Sequence, residues 1–306
     1  PNGVMDRHAA RIANILVGNS QGASVLEFVL AGPTLRFTKK TYVALASADF
    51  QARVNGKQAP LNQAFEVPAG AVLECGTAHK GMFGYLAFAG GGLDVPSVMG
   101  SASTNLKCGI GGWHGRALVY GDCIPLASNL TFLANLPLRT IPAEEEPAQE
   151  TNPIILRVIP GPQENLFTEQ GMKTFYSQQF STTSQSDRMG FRLEGPTIET
   201  RHGSDIASDG IAFGAVQVPA HGKPIIMLAD RQTTGGYAKI GTVASVDLPK
   251  LVQCRPGKEI RFERITVQEA QALYREEERT LLAYEHTLQN PGPNACNARC
   301  AAAKLG

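Results

Sequence analysis

The rhythm of apolar and polar positions changes twice along the chain of 306 residues. Residues 4–17, VMDRHAARIANILV, set Val4, Ile12, Ile15 and Leu16 at helical spacing, and Gly18 supplies a stop. The apolar positions then shorten into runs: ASVLEFVLAG, TYVALAS, QAFEV, AVLECG and FGYLAFAG. These are rich in β-formers and divided by glycine, proline or asparagine, which predicts strands. AGPTLRF and VNGKQAP carry turn signals between them. Residues 137–153, PLRTIPAEEEPAQETNP, are acidic, proline-rich and almost free of large apolar side chains, as a linker would be. Strand-like runs resume with IILRVIP.

The end of the chain returns to helical spacing. TVQEAQALYREEERTLLAYEHTLQ, residues 266–289, opens with a capping box of Thr266 and Glu269. Val267, Ala270, Tyr274, Leu281 and Leu288 form its apolar stripe. The pattern predicts a mainly β protein: a first β domain over 1–136, a linker over 137–153, a second β domain over 154–265, a helix over 266–289 and a tail over 290–306. Internal echoes hint at duplication. GPTL (32–35) recurs as GPTI (195–198), MDR (5–7) as SDR (186–188), and PAGAVLEC (68–75) resembles RPGKEIRF (255–262). The spacings between these pieces differ, so the repeat stays a hint.

Composition narrows the class. Hydrophobic residues make up 43% and charged ones 18%, with 32 glycines and 19 prolines, a globular balance rich in turns. A net charge of +1 gives no basic surface for nucleic acid or membrane. No apolar run is long enough to span a bilayer, and no secretory leader precedes PNGVMDR, where a natural start is expected to be missing. Cys75, Cys108, Cys123 and Cys254 sit in apolar or strand-like stretches and read as small hydrophobes. Cys296 and Cys300 pair in the tail without further ligands, so no metal site is expected, and a reducing cytoplasm fits best.

Candidate chemistry concentrates in the second half. DRQTTGGYAKIG, residues 230–241, follows the apolar run KPIIMLA. It lacks the lysine spacing of a Walker loop and the following helix of a Rossmann loop, so a nucleotide loop is disfavoured. A simple glycine turn between strands would not need Asp230, Arg231, Gln232, Thr233 and Thr234 in succession. QSDRMGFRLEG offers Ser186, Asp187 and Arg188, a charged clamp for a carboxylate or carbonyl, although a surface ion pair explains them equally well. Asp209–Gly210 is a turn signal, and Gln217 lies on the strand after it. His202 and His221 flank these clusters without a partner motif. The residues by themselves reach a polar, glycine-rich site but no reaction.

Several long stretches resemble the biotin-dependent carboxyltransferase family, also called the allophanate hydrolase subunit 2 family. They are SDRMGFRLEG, SDGIAFGAVQVPAHGKPIIMLADRQTTGGYAKIG and DLPKLVQCRPGKEIRF, joined in the first half by MDRHAARIANILVGN, LAGPTLRF, YLAFAGGGLDVPSVMGSASTNL and GDCIPL. The family includes the C subunit of 5-oxoprolinase, an antagonist of the KipI kinase inhibitor (KipA), and the carboxyltransferase part of urea carboxylase. Two departures stand out. Members carry a QDxGRxG stretch before the MDR segment, which implies a shortened front here, and they often have glycine where Ser47 stands.

The resemblance implies two cyclophilin-like β-barrels with a helix at each end. It also implies a B-type partner resembling allophanate hydrolase subunit 1 or KipI, and a further partner of the LamB/YcsF type. The implied reaction is ATP-dependent opening of 5-oxoproline to glutamate. Carboxyl transfer from carboxybiotin to urea, or non-catalytic binding of a KipI-like protein, is the alternative. ATP would be used by the complex, and biotin is not expected on this chain, whose one Met-Lys pair, Met172-Lys173, lacks a carrier frame. The residues expected to act are Asp187, Arg188, Asp209, Asp230, Thr233 and Thr234. Ser186, Gln217, Gln232, Gly235, Gly236 and Tyr237 are expected to bind the substrate.

Overall fold

The structure, a computed structural model, describes residues 2–128, 135–141 and 152–289. Most of the expected linker and the whole expected tail, with Cys296 and Cys300, lie outside these residues. Over the described residues the chain falls into two compact units, one of 6–141 and 277–289, the other of 2–5 and 152–276.

The first unit opens with helix α1 (Arg7–Leu16), capped by the Asp6 carboxylate, which accepts the Ala9 N–H. Gly18, at φ +73°, ends it as the sequence predicts. Eight strands follow: β1 (Leu26–Val29), β2 (Thr34–Arg36), β3 (Thr41–Asp49), β4 (Arg53–Val54), β5 (Lys57–Gln58), β6 (Ala64–Val67), β7 (Val72–Glu74) and β8 (Lys80–Phe88). They form two four-stranded sheets, ordered β1-β8-β3-β6 and β2-β7-β4-β5. Val43, Leu45, Phe50, Leu73, Leu86 and Phe88 fill the core between them. Asn55 and Gly56 both adopt positive φ (+48° and +80°), making the tight turn that VNGKQAP predicts. Residues 136–141, nearly all within the expected linker, pack into this unit: Leu136, Arg139 and Ile141 are buried, and Arg139 donates to the Ile15 carbonyl at the end of α1.

The second unit is a closed barrel. Its strands are β9 (Ile154–Pro160), β10 (Gln179–Thr182), β11 (Gly190–Glu194), β13 (Ala215–Gln217), β14 (Ile225–Met227), β16 (Lys239–Val243) and β17 (Glu259–Arg264). They run β10-β11-β14-β13-β16-β9-β17, and β17 pairs back onto β10. On β9, Ile154, Leu156 and Val158 are buried while the residues between them are not, the period-two signature of a strand with one face in the core. β12 (Asp205–Gly210) and β15 (Thr234–Tyr237) form a separate antiparallel pair, and β15 continues through Ala238 into β16.

Two short helices that the strand-only reading of this half omits also appear. α2 (Glu169–Ser177) is capped by Thr168 and stacks Phe175 on Phe262 of β17, with ring centroids 4.3 Å apart. α3 (Leu248–Val252) follows Asp247, which is wholly buried and accepts from Arg157 and Lys250. The predicted C-terminal helix is α4 (Val267–Gln289), and its capping box forms as expected: Thr266 and Glu269 each accept the other's N–H. Ala270, Leu281 and Leu288 are buried as the stripe requires, whereas Val267 and Tyr274 are about half exposed. The cysteines also divide. Cys75 and Cys254 are core residues, as small hydrophobes would be, whereas Cys108 and Cys123 are exposed. No described helix is long and apolar enough to cross a membrane.

Candidate functional site

The structure sorts the candidate residues into two groups and shows what each can do. The first is built at the base of the β12–β15 pair. Gln217 lies opposite Lys239 in the β13–β16 register, so both side chains leave the sheet on one face. Both residues are buried, at 3% and 4% exposure. The Lys239 ammonium reaches across to β12 and donates to Asp209 at 2.8 Å. Gln163 completes the group: its amide donates to Asp209 and its oxygen accepts the Lys239 N–H. The Lys239 ammonium, with the Gly210 N–H, holds the Asp209 carboxyl below the usual carboxylate range. Asp209 is therefore an ionised acceptor at neutral pH, suited to orienting Lys239 and unsuited to acting as an acid.

Gln217 is the exceptional member. Its side-chain NH₂ is buried and has no hydrogen-bond partner among the described residues. A buried amide donor left unpaired is costly, so the position calls for a water or a ligand to meet it. Gly235 makes the approach possible. A Cβ there would stand 3.0 Å from the Gln217 nitrogen and 2.7 Å from Ile211 Cδ1.

This changes the meaning of two motifs. Gly235 and Gly236 lie within strand β15 rather than in a turn, and glycine is needed at 235 because any side chain there would collide with Ile211 and Gln217 beneath. Asp209–Gly210 is likewise the end of β12, paired with Gly235 and Thr234, and not a turn. Thr233, Thr234 and Gln232 are exposed, and Tyr237 is 43% exposed, so the outer edge of the pair is open to solvent.

The second group joins the loop before β11 to the loop after β14. Arg188 makes a two-pronged ion pair with Asp230, at 2.9 and 3.1 Å, and also donates to the Gly3 carbonyl. Asp187 and Arg188, expected to act together, have different partners in the structure. Asp187 instead accepts the N–H groups of Met189 and Gly190, closing a local turn. Ser186 accepts the Arg192 N–H in the same turn. Neighbouring residues in sequence thus face different partners, and the guanidinium engages Asp230. Arg231 anchors the adjoining loop by donating to the Ile211 and Leu228 carbonyls.

Sequence reasoning finds Asp209, Gln217 and Gly235 but misses Lys239 and Gln163. Lys239 is embedded in AKIG, at a spacing from the glycines that fits no phosphate loop. Its signal is a charged residue opening an otherwise apolar run. Burial pushes the Cys75 and Cys254 thiols up to about 11 and about 12, so neither is a nucleophile at neutral pH. Among the described residues no group of three His, Cys, Asp or Glu side chains is placed to hold a metal ion.

Comparison with known proteins places this architecture. A family model described as the carboxyltransferase domain, subdomain A and B, matches residues 1–264. The 5-oxoprolinase C subunit of Haemophilus influenzae is 35% identical over 276 residues, 90% of this chain and 86% of that protein. The 5-oxoprolinase C subunit of Escherichia coli is 36% identical over 272 residues, covering 88% and 84%. The crystal structure of Kluyveromyces lactis urea carboxylase matches with a TM-score of 0.86 at 28% identity, over 96% of this chain and 27% of that one. The first two are named as subunits, and this chain spans about a quarter of the third. With its closed barrel, its terminal helices and a match running from residue 1 to 264, this chain belongs to the carboxyltransferase domain family of subdomains A and B.

Proposed function

We propose that the chain serves as the C subunit of an ATP-dependent 5-oxoprolinase-type assembly in the cytoplasm. It would open 5-oxoproline to glutamate together with a B-type partner, resembling allophanate hydrolase subunit 1 or KipI, and a LamB/YcsF-type protein. The relation to two proteins named as C subunits of 5-oxoprolinase, at 35% and 36% identity over most of both chains, carries this choice.

The chemistry of the β12–β15 base supports it. Opening a lactam breaks the ring C–N bond, adds water to the carbonyl carbon and leaves a carboxylate and an amine. Negative charge gathers on the carbonyl oxygen on the way. The Gln217 NH₂ and the Lys239 ammonium are donors suited to that charge, and Asp209 holds Lys239 in place. Thr233, Thr234, Gln232 and Tyr237 on the exposed edge, with the backbone at Gly235 and Gly236, suit the polar rim of an amide. Asp187, Ser186 and the Arg188–Asp230 pair fix the loops beside it. ATP is assigned to another part of the assembly, since the glycines of residues 230–241 lie in a strand that leads into a second strand, without the helix N-terminus a phosphate site uses.

Coexpression with the other two proteins of the assembly, followed by ATP-dependent release of glutamate from 5-oxoproline, tests the reading. Asp230→Ala and Thr234→Ala are expected to remove most of that activity while leaving the protein folded by circular dichroism. Full activity in both sinks the site assignment. No glutamate release from the unmodified assembly sinks the reaction.

A second reading is carboxyl transfer from carboxybiotin to urea, which the family description and the likeness to urea carboxylase favour. Biotin would arrive on another protein, since Met172 and Lys173 lie in helix α2 rather than on an exposed hairpin. Carboxylation of urea by this chain, given a biotin carrier and a biotin carboxylase, would select this reading.

A further inference from the structure

A cleft of about 530 Å³ opens on the barrel unit, lined by none of the residues at the β12–β15 base. Thr183, Ser184 and Gln185 form one wall, and Arg192, His221 and Lys223 bring cations and a ring nitrogen to the other side. Leu193, Pro224 and Ile225 supply an apolar floor. The volume lies in the range that takes a small molecule.

The local structure explains why the polar groups converge. Arg192 lies in β11 between the buried Phe191 and Leu193, so the strand's alternation turns it outward. Its backbone is held by the loop before it: the Arg192 carbonyl accepts the Thr183 N–H, and Ser186 accepts the Arg192 N–H. The wall and the arginine are thus one rigid turn. The Arg192 guanidinium is left without a hydrogen-bonded or ion-paired partner among the described residues. His221 accepts the Lys223 N–H at Nδ1, which leaves the proton of the neutral ring on Nε2 as a donor. Lys223 donates to the Gly195 carbonyl, with the exposed Glu194 carboxylate 3.9 Å away.

Cationic donors therefore outnumber anions: the Arg192 guanidinium, the Lys223 ammonium and the His221 N–H stand against one carboxylate, while the Thr183 and Ser184 hydroxyls and the Gln185 amide can donate or accept. We propose that this cleft is a binding site for a small oxyanion, a carboxylate or a phosphate on a short apolar body, with Arg192 as its principal donor. A planar guanidinium grips either group through paired N–H bonds, and the apolar floor receives the body that carries it. The site is independent of the lactam-opening reaction.

Titration of the ¹⁵N-labelled full chain with inorganic phosphate and, separately, with glutarate tests this at low ionic strength. Saturable shifts of the backbone amides of residues 183–185, 192 and 193 are expected with at least one ion. Saturation by phosphate alone identifies a phosphoryl ligand, and by glutarate alone a carboxylate; either supports the site. Arg192→Gln is expected to weaken binding about tenfold or more, and added salt to weaken it further. His221→Gln, on the surface, gives a second, smaller loss should the first variant fold poorly. Asp230→Asn is expected to leave both affinities unchanged, which separates this site from the lactam site. No saturable shift with either ion, shifts confined to residues 205–210 and 234–237, or full affinity in a folded Arg192→Gln protein would overturn the proposal.

Discussion

Asp247 illustrates what a single residue contributes. Burial on its own raises the carboxyl's pKa, but the hydrogen bonds from Arg157 and Lys250 outweigh it and hold the group below the usual range. Its folded pKa thus lies under the unfolded value of about 3.9. The network's contribution is complete above that pH and is lost as pH falls through the folded pKa. Asp247→Asn is expected to cost about 3 kcal/mol near neutral pH, at the low end for a broken buried pair because Arg157 and Lys250 keep some solvent. Urea titrations should also show a shallower fall in stability below about pH 4 in this variant than in the parent; parallel acid limbs would contradict the assignment.

Ser47 is the opposite case. It sits at φ +79°, a conformation that favours glycine, at the irregularity in the β3–β8 pairing. Its 3.4 Å hydrogen bond to Asp6 is long. Ser47→Gly should raise stability by about 0.5–1 kcal/mol, because relief of strain exceeds the added chain entropy. A lower melting temperature in that variant would refute this.

Among the elements, the caps and tight turns could be read in advance. Asp6 and Gly18 bound α1, Asn55-Gly56 joins β4 to β5, and Thr266 with Glu269 starts α4. Each joins residues a few positions apart, so local chemistry decides them. β12 and β15 could not be read this way. Their glycines signal turns, yet Gly235 lies in a strand, where its missing side chain makes room for Ile211 and Gln217 beneath it. Gly235→Val is therefore expected to lift this strand pair while the barrel stays intact. Hydrogen exchange should quicken at residues 205–210 and 234–237 and stay slow in β9 and β16. Unchanged exchange at the pair would mean that Gly235 is not needed to seat it.

Across the whole molecule, closing the barrel depends on β9 and β17, the parallel pair that joins Ile154 to Ile260 and Leu156 to Phe262. These strands lie at opposite ends of the unit's sequence, so this pairing closes the longest loop in it. Leu156, wholly buried on β9, is packed where that closure happens. Leu156→Ala is expected to cost about 3 kcal/mol from lost burial and the cavity left behind. A urea midpoint within error of the parent would show that this position is not part of a close-packed core.

By itself the sequence determined the β character of the protein, the helices at both ends, the family, and the region proposed to carry the chemistry. Each follows from periodicity, caps, turns or long motifs, signals carried by neighbouring residues. Only the tertiary structure decided which polar groups meet. Arg188 passes over adjacent Asp187 for Asp230, 42 residues away, and Asp209 takes Lys239, 30 residues on. Lys239 looks like an ordinary lysine in the sequence and becomes a buried ammonium beside an unpaired Gln217 amide only when β13 and β16 pair. Strand register, which brings distant residues opposite one another, is set by the packing of the whole barrel, and a local stretch of sequence holds no record of it.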